Sequence, residues 1–65
     1  MIGDNIKKLM MKKGYTEAEL AERAGCSRSA ISRYINNNRT PKEKMLQKLA
    51  DGLGVSVTEI VRYGR

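Results

Sequence analysis

The chain contains no histidine, tryptophan or phenylalanine and only one cysteine. Each absence removes a class of function. Without histidine, Cys26 has no partners for a Cys/His zinc site, and a lone cysteine forms no intrachain disulfide; it reads as a small apolar filler. No acid, base and nucleophile stand together and no glycine-rich phosphate loop occurs, so neither an enzyme nor any cofactor is expected. The sequence also lacks an apolar run of about 18 residues, a secretory leader after Met1 and a low-complexity tail, which points to a soluble cytoplasmic protein with no membrane role. Three tyrosines are its whole aromatic content, too little for the stacking platform of a single-strand reader.

Acidic residues are scarce as well, and unevenly placed. Thirteen Lys and Arg against seven Asp and Glu leave a net charge of +6. Between Gly14 and Ser27 stand three acids (Glu17, Glu19, Glu22) and one base (Arg23), whereas between Arg28 and Lys48 stand six bases and one acid, Glu43. The middle of the chain therefore presents a surface suited to a polyanion. At 65 residues the chain is a single domain spanning 1–65, able to bury only about 60% of its unfolded surface.

Five short helices account for the apolar pattern. Ile2, Ile6, Leu9 and Met10 recur at helical spacing, which predicts a first helix over roughly Asp4 to Lys13, with Lys7, Lys8, Lys12 and Lys13 outside. Thr16-x-x-Glu19 is a capping box opening a helix of about eight residues that carries Leu20, Ala21 and Ala24 inward and stops at Gly25. Ser27 caps a third helix running to about Ile35. Thr40-Pro41-x-Glu43 reads as a second capping box with proline at the first helical position, so a fourth helix is expected from Pro41 to Leu53. Ser56-x-x-Glu59 opens the fifth. None is long enough to be stable alone in water, so the fold class is all-α with one shared core.

The third helix has two faces. At 100° per residue, Ala30, Ile31, Tyr34 and Ile35 fall on one arc, and Arg28, Ser29, Ser32, Arg33 and Asn36 on the other. A merely solvated face is normally written in Glu and Lys; this one has Ser and Arg and no acid. Two short helices joined by a tight Gly25-Cys26-Ser27 turn, the second exposing such side chains, suit a helix that enters the major groove. Serines allow close approach to base edges there, and arginines reach guanine O6 and N7.

These residues resemble a known family. "GYTEAELAERAGCSRSAISRYINNNRTP" (residues 14–41) and "LADGLGVSVTEIV" (49–61) are similar to the Cro and phage-repressor (XRE-like) type of helix-turn-helix, carried by Thr16, Leu20, Ala21, Gly25, Ser27, Ile31, Ser32, Arg39, Pro41, Leu49, Leu53, Gly54, Val55 and Ser56. The resemblance implies a compact five-helix, lambda-repressor-like domain with its helix-turn-helix at about 16–36. It also implies a homodimer that binds an inverted-repeat operator in double-stranded DNA and usually represses transcription. Position by position, Arg28, Ser29, Ser32 and Arg33 match base-reading residues, and Asn36, Asn38 and Arg39 match the loop that grips phosphate. Lys42 and Lys44 are further phosphate candidates on charge grounds.

Three departures stand out. Glu17 occupies the phosphate position of helix two, where the family usually has a Gln whose amide donates; a carboxylate repels phosphate, leaving Glu17 to pair with Arg28 or to complement the helix N-terminus. Ile35 and Met10 stand where many relatives carry an ion pair, an exchange of charge for packing that is often neutral or stabilising. Asn37 replaces the usual glycine after the third helix, and asparagine tolerates the left-handed conformation that this turn requires.

On helix five, Val57, Ile60, Val61 and Tyr63 exceed what a short terminal helix needs as an anchor. They suggest a dimer contact, with docking on helix four as the competing role. A second function class also fits: a protein-interaction module, such as an antitoxin holding a protein partner. The chain reads equally as a whole regulator and as the N-terminal domain of a longer one.

Overall fold

A computed structural model of the chain describes residues 2–63. Among them are five helices: α1 Ile2–Lys13, α2 Glu17–Ala24, α3 Arg28–Ile35, α4 Glu43–Leu53 and α5 Val57–Arg62. The all-α architecture expected from the pattern is the one observed. Helix α2 packs against both α3 and α4, while α1 lies across α3 and α5. Every helix thus contributes to a core centred on Ile6, Leu9, Leu20, Ile31, Leu49, Leu53 and Ile60, all essentially inaccessible to solvent. Truncating any of these to alanine costs about 2–5 kcal/mol.

Local signals set the helix ends. Thr16 Oγ1 accepts from the Glu19 N–H, and Glu19 Oε1 accepts from the Thr16 N–H, completing the capping box of α2. Ser27 Oγ caps α3 through the Ala30 N–H. The box of α5 is half made: Ser56 Oγ accepts from the Glu59 N–H. Gly25, at φ 72°, ends α2 in the left-handed conformation, and the next amide, Cys26 N–H, donates back to the Ala21 carbonyl at 2.9 Å. A side chain at that φ would crowd its own backbone, which is why the sharp turn into α3 is built on glycine.

Two expectations at helix starts need correction. Helix α1 begins at Ile2 rather than Asp4, because its extra residues are pressed against the end of α3. Gly3 is buried there, and a Cβ on it would run into the Tyr34 carbonyl oxygen and the Asn37 side chain. Helix α4 begins at Glu43 and not at Pro41. Lys42 is its N-cap, with an extended backbone and no side-chain cap hydrogen bond, so the Thr40–Glu43 box does not form. Pro41 is instead buried, and seating its ring in the interior keeps the chain extended for two more residues before the helix starts.

Several polar side chains tie the helices together. Asn5 is buried, and its Nδ2 donates to the carbonyls of Ile60 at 2.7 Å and Val61 at 3.3 Å, satisfying the end of α5 from within α1. Arg23, the one base of the acidic stretch, donates from Nε to the Gly52 carbonyl at 2.7 Å and stacks its guanidinium 4.6 Å from the centre of the Tyr15 ring. It clasps α2 to α4. Neither role was expected from the sequence, since both partners lie at distant positions along the chain.

Two stability predictions follow from this packing. Gly3→Ala should lower stability in urea denaturation by about 1–3 kcal/mol, because the added methyl must displace backbone at the α1–α3 crossing; an unchanged midpoint would mean the helices part freely. The hydrogen bonds from Thr16, backbone first and then side chain, hold the Glu19 carboxyl below its ordinary value of 4.5. Such a group contributes stability above its unfolded pKa and loses it as pH falls through the folded value. Glu19→Gln should therefore melt below the parent at pH 7, with the gap narrowing once the pH drops under 4.5.

Candidate nucleic-acid interface

Burial of one side of α3 leaves the other in solvent. Ile31, Tyr34 and Ile35 are in the core, while Arg28, Ser29 and Arg33 are exposed and Ser32 is half-buried. The two-faced pattern of the sequence is therefore present in three dimensions. Arg28, Ser29, Ser32 and Arg33 line one shallow, polar concavity, and the fifth side chain on its wall is Glu17, from the first turn of α2. Glu17 and Arg28 share that wall without closing an ion pair, so the pairing considered for them is not made.

Ser32 is also linked to the residue after the helix. Asn36 Nδ2 donates to the Ser32 carbonyl at 2.9 Å and to Ser32 Oγ at 3.3 Å. Ser32 Oγ accepts from Asn36, and its hydroxyl keeps a proton of its own to donate. The same bonds hold the exposed Asn36 amide nitrogen against the end of α3.

The end of α3 is locked by Asn37. It takes φ 60°, the one positive φ of a non-glycine residue among the described residues, as anticipated for a residue replacing glycine. The following amide, Asn38 N–H, bonds back to the Arg33 carbonyl at 2.9 Å, as a left-handed helix stop requires. The conformation is supported by a contact that only the fold provides: Asn37 Nδ2 donates to Asp4 Oδ1 at 3.0 Å. The first turn of α1 thus holds the exit of α3.

Beyond this stop the chain turns basic. Asn38 and Arg39 are exposed, and Arg39, Lys42 and Lys44 line a second concavity with Tyr34, Thr40, Met45 and Lys48. Lys48 was not among the expected site residues, although its place one turn after Lys44 was a legible signal. It also lies near Cys26, whose half-buried thiol is pushed up in pKa by burial and drawn partly back by the Lys48 charge. Cys26 is protonated filler at neutral pH beneath the start of α3.

The expected dimer residues divide. Ile60 is 0% exposed and belongs to the protomer's own core; its position as one turn of α5 folds onto α1 and α4 leaves it nothing to offer a partner. Val61, at 42%, and Met11 on α1, at 73%, are the large apolar side chains left in solvent among the described residues. Val57 and Tyr63 are half-buried, with Lys12 Nζ 5.9 Å from the Tyr63 ring centre.

A model of the helix-turn-helix family matches residues 6–60. The chain belongs to the helix-turn-helix family. The Cro-type resemblance of the sequence is thereby upheld, and so is its implied fold. The HTH-type transcriptional regulator SinR of Bacillus subtilis (strain 168) is 43% identical over 58 residues, covering 88% of this chain and 52% of that protein. The chain spans about half of SinR's length. The uncharacterized HTH-type transcriptional regulator y4dJ of Sinorhizobium fredii (strain NBRC 101917 / NGR234) is 36% identical over 61 residues, 94% of this chain and 79% of that protein. Among solved structures, SinR in complex with DNA superposes with a TM-score of 0.88 at 40% identity, covering 94% of this helix-turn-helix chain and 98% of that one.

The lock on α3 gives a prediction specific to this chain. Asn37→Ala should cost about 1–2 kcal/mol, the price of placing a side chain with no local hydrogen bond in the left-handed region. Asn37→Gly should lose less, since it gives up only the Asp4 contact. Equal losses for the two, read from thermal melts, would assign the whole effect to the hydrogen bond with Asp4.

Proposed function

We propose that this chain is a sequence-specific DNA-binding module of a transcriptional regulator, most simply a repressor, which inserts α3 into the major groove of double-stranded DNA. One observation carries this reading: the exposed face of α3 gathers Arg28, Ser29, Ser32 and Arg33 in a single concavity while its opposite face is fixed in the core. A groove about 12 Å wide admits one helix, and forked arginines beside short serines can reach guanine and neighbouring base edges. The basic concavity of Arg39, Lys42, Lys44 and Lys48 then faces the phosphate backbone, with Asn38 beside it. Asn36 steadies Ser32 in this arrangement. That SinR, a relative of similar fold, has been crystallised with DNA supports the reading.

Two copies would present their α3 helices about 34 Å apart to an inverted repeat. Val61 and Met11, with the half-buried Val57 and Tyr63, are the apolar surface available for that pairing. Such a regulator works where the chromosome is, in the bacterial cytoplasm or in a phage-infected cell.

The test is a selection from random duplex DNA with this chain, followed by titration of the winner and a scrambled duplex at two salt concentrations. An inverted repeat bound at least ~1000-fold more tightly than the scramble is expected. Arg28→Ala or Arg33→Ala should cost about 1–3 kcal/mol on the selected site and little on the scramble. Arg39→Ala should weaken both duplexes alike and lower the salt slope by about one unit. Equal binding of both duplexes by the parent would reduce the basic face to a general phosphate surface and favour a protein partner as the true ligand.

A further inference from the structure

A carboxylate on a surface that meets a polyanion can act in two ways. Beside a phosphate it repels; beside a base edge it accepts from an exocyclic amino group, which cytosine N4 offers in the major groove. The position of Glu17 distinguishes them. It is the first residue of α2, half-buried, and it shares its concavity with Arg28, Ser29, Ser32 and Arg33. The cations of the loop and of α4 line a different concavity. No ion pair with a neighbouring arginine occupies the Glu17 carboxylate, and Thr16 and Glu19 complete the helix cap without it.

We propose that Glu17 is a specificity-determining residue, accepting a hydrogen bond from the N4 amino group of a cytosine in each half-site beside the bases read by Arg28. The inference rests on the DNA-binding reading above. At the same position guanine presents O6 and N7 and thymine O4, all acceptors, and adenine sets its N7 acceptor beside the N6 amino group, so the carboxylate favours cytosine over each of them. In this role the acid adds discrimination to a face whose arginines and lysines attract any DNA.

The random-duplex selection, repeated with the parent, Glu17→Ala and Glu17→Gln, tests it, with helical circular dichroism as the check on folding. The parent should select cytosine at one position per half-site. Glu17→Ala should lose that preference, by about 5- to 140-fold, while the remaining positions keep theirs. Glu17→Gln, whose amide both donates and accepts, should move the same position toward adenine. The proposal is overturned if both variants tighten on every duplex alike with no change at any one position, the behaviour of a residue that only repels phosphate. A parent that prefers no duplex over the scramble would instead overturn the DNA-reading function itself, an outcome visible before any variant is compared.

Discussion

An eight-residue helix does not hold its shape alone in water, and any reading of DNA by this chain requires α3 to hold both its shape and its rotation. Both come from one constraint, the burial of Ile31, Tyr34 and Ile35 between α1 and α2. The left-handed Gly25 sets where α3 starts, and the left-handed Asn37, bonded to Asp4, sets where it stops. Between those two points the helix cannot rotate without exposing apolar surface. Its polar side chains are therefore presented in a fixed order, so that little ordering cost is left for the moment of binding.

The same constraint explains the division of polar residues into those that hold the fold and those that face outward. Asn5 and Arg23 lie among acids and lysines in the sequence, yet both are spent on carbonyls at the ends of other helices. Met10 and Ile35, expected from the sequence to favour packing over charge, are part of the core. With Asn5 and Arg23 thus occupied in support, the exposed cations nearest the face of α3 are its own arginines and those of the following loop and the start of α4, while Lys7, Lys8, Lys12 and Lys13 stand exposed on α1. The surface charge is lopsided: a basic wall along the loop and α4, and Glu17 on the wall contributed by α2.

Much of this was legible in the sequence because it depends on neighbours a few residues apart. Caps at Thr16, Ser27 and Ser56, the glycine stop at Gly25 and the apolar spacing of 3–4 residues are local, and local rules assign them. The start of α4 was misread for an instructive reason. Thr40, Pro41 and Glu43 satisfy a capping rule in isolation, but burial of the Pro41 ring outweighs the cap, and no local rule contains that burial. Ile60 was misassigned in a similar way, since an apolar side chain on a terminal helix looks the same whether its partner is another protomer or its own core.

Five helices, the two faces of α3 and the basic stretch from Arg28 to Lys48 were all readable from the chain alone, because periodicity, capping and charge are properties of short stretches. Which polar groups remain on the surface is set by the tertiary fold. That choice depends on pairs far apart in the chain, Asn5 with Ile60, Asp4 with Asn37, Arg23 with Gly52 and Glu17 with the face of α3. A hydrogen bond or a shared concavity between such residues exists only once the helices cross, and the crossing is set by the packing of the whole core.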